Sequence, residues 1–94
     1  MNQSKLTSIT ASIYRACEVL SVQDKAVVHD AIVNSNVLGV DPTLLDTKKS
    51  KLHSIALPNR FNTSIRYVEL SLVDNYIVNV RLVSVTKLHL LESA

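Results

Sequence analysis

From residue 76 to residue 91 the chain alternates with no glycine, proline or aspartate to interrupt it. Tyr76, Val78, Val80, Leu82, Ser84, Thr86, Leu88 and Leu90 fall on one side, and Asn79, Arg81, Lys87 and His89 are among those on the other. A period of two is that of a half-buried β-strand. At about 3.3 Å per residue the run would reach roughly 50 Å, where most strands have five or six residues. A strand that long needs more partner than the rest of the chain supplies, which points to a surface that recruits another chain.

The run before it supports a hairpin. Val68, Leu70 and Leu72 alternate with Tyr67, Glu69 and Ser71, and Asp74-Asn75 separates the two runs. A two-residue loop would set Leu70 opposite Asn79 and Val68 opposite Arg81, mixing apolar and polar residues on one face. A three-residue loop of Val73, Asp74 and Asn75 pairs Leu72 with Tyr76, Leu70 with Val78 and Val68 with Val80, and puts Asn75 where a left-handed backbone is wanted. The three-residue loop is therefore expected. In that register residues 85–91 extend past the hairpin with unclaimed backbone groups, and either segment 52–57 of the same chain or the same strand of a second chain must take them.

The first third reads as two helices. Leu6, Ile9, Ile13, Ala16, Cys17 and Leu20 recur at steps of three and four, with Lys5, Ser8, Ser12, Arg15 and Glu18 on the other faces. Ser21 with Asp24 three residues on is a variant of the capping box, so a second helix starts there, with Val28, Ala31, Ile32 and Ser35 as its stripe. It fades through Asn34, Asn36 and Gly39. Asp41-Pro42 opens a short helical turn through Leu44 and Leu45, and 52–57, ended by Pro58-Asn59, is taken as a strand. The expected fold is α+β: two N-terminal helices packed on a small antiparallel sheet built around a C-terminal β-hairpin, in a single domain spanning 1–94.

Composition narrows the functions available. Average usage near 7% would give about six or seven glycines, whereas Gly39 stands alone, so loops that cradle phosphates are excluded. Cys17 has no partner for an internal disulfide, no apolar run is long enough to cross a membrane, and no signal-like segment opens the chain. A cytoplasmic location is expected. Cys17 with His29, His53 or His89 is the one obvious nucleophile-and-base set, but a cysteine on an apolar helical stripe reads as a small buried hydrophobe. The three histidines lack zinc-site spacing, and the eight carboxylates are scattered. No enzyme activity, metal or cofactor is expected.

One charge asymmetry stands out. Lys48, Lys49, Lys51, Arg60 and Arg66 carry half of the ten cations, and no acid falls among them, although the net charge is only +2. With Phe61 and Tyr67 this window would suit a phosphate backbone and a stacked base, or an acidic protein surface; the plainer reading is a solvated loop. Taken together, the residues suggest a small non-enzymatic interaction or regulatory factor of the kind a virus, phage or mobile element carries. It would act as a homodimer through Thr86, Leu88 and Leu90 and bind a further protein partner. A nucleic-acid-binding module using Lys48, Lys49, Lys51, Arg60 and Arg66 is the alternative.

Overall fold

Ser21 and Asp24 set the point where the chain turns from its first helix into its second. In the computed structural model, which describes residues 3–46, 49–58 and 64–86, the Ser21 hydroxyl accepts from the Asp24 N–H at 3.1 Å and the Asp24 carboxylate accepts from the Ser21 N–H at 3.1 Å. Both are donors a helix N-terminus otherwise leaves unpaired. Helix α1 spans Gln3–Ala16 and α2 spans Val22–Val33. The Tyr14 hydroxyl donates to the Lys25 carbonyl at 3.1 Å, and the Lys25 ammonium lies 5.4 Å from the Tyr14 ring centre, so the two helices are tied beside their junction. Cys17 falls just beyond α1, where its N–H still bonds the Ile13 carbonyl, and is buried there with Leu20.

The remaining elements are β1 (Gly39–Val40), a 3-10 turn η1 (Pro42–Asp46), β2 (Lys51–Ala56), β3 (Ser64–Val73) and β4 (Tyr76–Thr86). They form one four-stranded sheet in the order β1-β4-β3-β2. The fold class is the expected α+β, but the sheet is mixed, because β1 runs parallel to β4. A two-residue parallel strand leaves no period to read. Gly39 fits it for a steric reason: a Cβ there would stand 3.3 Å from the Tyr76 ring.

The hairpin corrects the expected loop. Its connection is the two residues Asp74 and Asn75, both left-handed at φ 52° and 68°, as in a type I′ turn, with Val73 opposite Tyr76 and Leu72 opposite Ile77. The mismatch that argued against this loop is removed by a β-bulge. Val78 has no partner, and from Ser71 opposite Asn79 onward the register is shifted by one, giving Leu70 opposite Val80 and Val68 opposite Leu82. Both Ile77 and Val78 are buried, so the uninterrupted alternation of the sequence is broken at this point.

One face of the sheet carries Ile55, Leu57, Val68, Leu70 and Ile77 into a core with Ile9, Ile13, Val28 and Ile32 from the helices, with Leu82 and Val80 packed at its margin. Full burial of each such side chain contributes about 1.5–3 kcal/mol. On the opposite face Val83 lies beside Tyr67 and Val85 beside Ile65, outside the core cluster, with Ile65 exposed and the other three half-buried.

Candidate protein-interaction edge

Among the described residues, backbone groups without partners gather on the outer side of β4. In an antiparallel ladder the N–H and C=O of one residue point the same way, and those of the next point the other way. The Leu57 N–H donates to the Arg66 carbonyl at 3.0 Å, so Arg66 addresses β2, and Ile65, Tyr67 and Glu69 address β4. Their partners Val85, Val83 and Arg81 are thereby engaged. The residues between and beside these, Val80, Leu82, Ser84 and Thr86, turn their N–H and C=O groups away from β3.

Near the start of β4 this outer side is occupied. The Leu38 N–H donates to the Asn75 carbonyl at 2.8 Å and the Asp41 N–H to the Ile77 carbonyl at 2.9 Å, after which η1 packs against the strand. Past the bulge the pairing stops. Among the described residues none gives Val80, Leu82, Ser84 or Thr86 a backbone partner on that side. Among the described residues of β4 the one charged side chain is Arg81, held by Glu69 at 2.8 Å.

The opposite edge of the sheet is protected. Strand β2 is six residues long, carries Lys51 and His53, and runs into Pro58, devices that discourage pairing. Its position also bears on one of the two partners expected for the end of the long strand. Segment 52–57 is read as a strand and the structure has β2 at Lys51–Ala56, but it pairs with β3 on the far side of the sheet and, among the described residues, not with β4. Of the residues expected at a dimer interface, Thr86 pairs with Ser64 at the last position of the ladder, while Leu88 and Leu90 lie outside the described residues.

The basic window does not come together in the described residues. Lys49 and Lys51 line a shallow cleft of about 300 Å³ with Leu72, Val73, Asp74 and Asn75. Arg66 lies towards the other end of β2, six residues or roughly 20 Å away along a strand, and donates to Asp24 at 3.0 Å. Lys48 and Arg60, with Phe61, are outside the described residues. Burial works to raise the Asp24 carboxyl, but the Ser21 and Arg66 hydrogen bonds and the Arg66 charge outweigh it and hold the group below the usual carboxylate range. Burial pushes the Cys17 thiol up.

No family model, curated protein or solved structure matches the chain. Among the described residues no three His, Cys, Asp or Glu side chains gather as metal ligands, and no helix is long and apolar enough to cross a membrane. The free part of β4 was visible in the sequence as a long apolar alternation. The residues whose backbone is left over, Val80, Leu82 and Ser84, were hidden because the bulge that sets their direction has no residue signature.

Proposed function

We propose that this chain is a small, cytoplasmic, non-enzymatic interaction factor that works as a homodimer, joined by strand addition along the outer side of β4 and offering its uncovered sheet face to a protein partner. The observation that carries this reading is the outer side of β4 beyond the bulge, where Val80, Leu82, Ser84 and Thr86 have no backbone partner among the described residues. Unpaired strand edges recruit other strands, main-chain hydrogen bonds supply much of the affinity, and a second copy presents the same edge across a two-fold axis. The uncovered face supports the second half of the proposal: Ile65, 42% exposed, sits with half-buried Tyr67, Val83 and Val85 on one apolar strip.

Light scattering after size exclusion should give twice the chain mass of 10.4 kDa. Ser84→Pro is the discriminating variant. Its N–H points outward, so proline there leaves the β3–β4 ladder intact while removing a donor from the edge. The variant should be a folded monomer. A wild-type monomer at high protein concentration, or a Ser84→Pro protein that remains dimeric, would remove the edge as the interface.

A further inference from the structure

We infer that the cleft around Asn75, at the turn end of the sheet, binds a short acidic peptide segment of a protein partner. The inference rests on reading the chain as an interaction factor and adds to it a surface distinct from the β4 edge.

Three shallow depressions of 300–330 Å³ adjoin there, and Asn75 lines all of them. One holds Lys49 and Lys51, the middle one holds His53 and Asn36, and the third holds Asn36 and Lys5. Each is at the lower limit of clefts that hold small ligands, about 300 Å³. An occupant would therefore span more than one.

The ladder explains why these side chains gather. Lys51 and His53 stand opposite Leu72 and Leu70, so both share the helix-covered face of the sheet with those leucines. The loop after α2 meets His53 there through Asn36 and Val37, and the left-handed turn at Asp74-Asn75 closes the end of the cleft.

The donors left over decide the ligand. The Asn34 amide and the Ser35 hydroxyl are spent on the Asp30 and Ile32 carbonyls at 2.9 and 2.7 Å, which also blunts the negative end of α2. Among the described residues no hydrogen bond or ion pair engages the side chains of Asn36, Asn75, His53, Lys49 or Lys51. Asp74 is the one acid lining the three depressions, against Lys5, Lys49 and Lys51. Charge complementarity selects an acidic occupant.

The same set favours a peptide over a nucleic acid. Asparagine amides carry a donor and an acceptor, as a peptide bond does, and Val37 and Leu72 offer contact to an aliphatic side chain. Among the described lining residues no aromatic ring is present to stack on a base, and no arginine offers the fork that grips phosphate.

Panning the full chain against a phage-displayed library of random peptides tests this. Enriched peptides should carry aspartate or glutamate beside an aliphatic residue. In fluorescence polarisation, a synthetic copy of the strongest should bind the double variant Lys49→Gln with Lys51→Gln about tenfold more weakly, as two exposed charge pairs supply. Its affinity for the wild type should fall as salt rises. Asn75→Gly removes the central amide at a left-handed position that glycine favours, so a loss there of about fivefold reports the missing hydrogen bond and not a damaged fold. Ser84→Pro should bind the peptide as the wild type does, and a monomeric protein that binds it keeps this inference while the homodimer falls. Failure to enrich acidic peptides, or binding that both cleft variants leave unchanged, overturns the inference and leaves the β4 edge standing. So does an oligouridylate that binds and is weakened by the same variants, which would assign the cleft to nucleic acid.

Discussion

Asp24 and Arg66, 42 residues apart, meet at 3.0 Å, and the same Asp24 Oδ2 that takes the Arg66 hydrogen bond also takes the Ser21 N–H at 3.1 Å. One carboxylate oxygen thus closes the start of α2 and fastens that helix to β3. The Asp24 side chain is 4% exposed and that of Arg66 is 26% exposed, so the pair is shielded on the helix side and wetter on the strand side.

Removing this carboxylate disconnects two things at once. Asp24→Ala should cost about 2–3 kcal/mol, from a lost capping partner and a half-buried guanidinium left without its anion. Ser21→Ala should cost about 1 kcal/mol. Denaturant melts of both variants and of Arg66→Met check the order, and a double-mutant cycle between Asp24 and Arg66 should show coupling.

The pH dependence has a definite sign. A carboxyl held lower in the folded chain than its unfolded value, about 3.9, contributes its full stabilisation above that pH and loses it as pH falls through the folded value. Wild-type stability should therefore drop on acidification below about pH 4. Asp24→Asn should be less stable at neutral pH and show a shallower acid decline. Equal slopes for the two proteins in urea midpoints measured between neutral and acid pH would contradict the assignment.

The turn can be improved. Asn75 occupies the left-handed region at φ 68°, where glycine bears no steric penalty, and its contribution to the outer ladder is a backbone carbonyl that glycine retains. Asn75→Gly should raise the melting temperature by a few degrees, in keeping with about 0.5 kcal/mol. Asn75→Val should lower it by more, since β-branched residues are poorly accommodated there.

Cys17 should behave as a packing residue. Buried, with its thiol pushed up, it should react slowly with thiol reagents in the native protein and rapidly in denaturant. Cys17→Ala should cost about 1 kcal/mol, less than a Leu→Ala change because fewer buried atoms are lost. Fast native labelling would assign it a chemical role instead.

What the sequence showed and what it concealed divide along local and distant physics. The helical stripes through Ile9, Ile13, Val28 and Ile32, the capping box at Ser21 and the short turn after Asp41-Pro42 depend on neighbours within one turn, and each appears where its residues indicate. The Arg66 ion pair depends on tertiary placement, so Arg66 read as one more free cation. The loop reading went astray for a related reason. Phase along β4 assumed uniform pairing, whereas the structure keeps the tighter turn and places the extra residue at Val78. For the candidate edge, a strand from Tyr76 to Thr86 was legible, the expected continuation to residue 91 lies outside the described residues, and the direction of the backbone was not legible.

The bulge gives β4 one site where its length is negotiable. Deleting Val78 would join Ile77 to Asn79 as an ordinary ladder, with Leu72 and Ser71 already waiting opposite them, and the rest of the strand would keep its faces. The same one-residue deletion at Leu82 would rotate everything after it, sending the residues of the outer edge inward and those of the ladder outward. Single-codon changes in this strand should thus be tolerated at its bend and ruinous a few residues later, a pattern that a scanning-deletion library would register as one permissive position in an otherwise intolerant stretch.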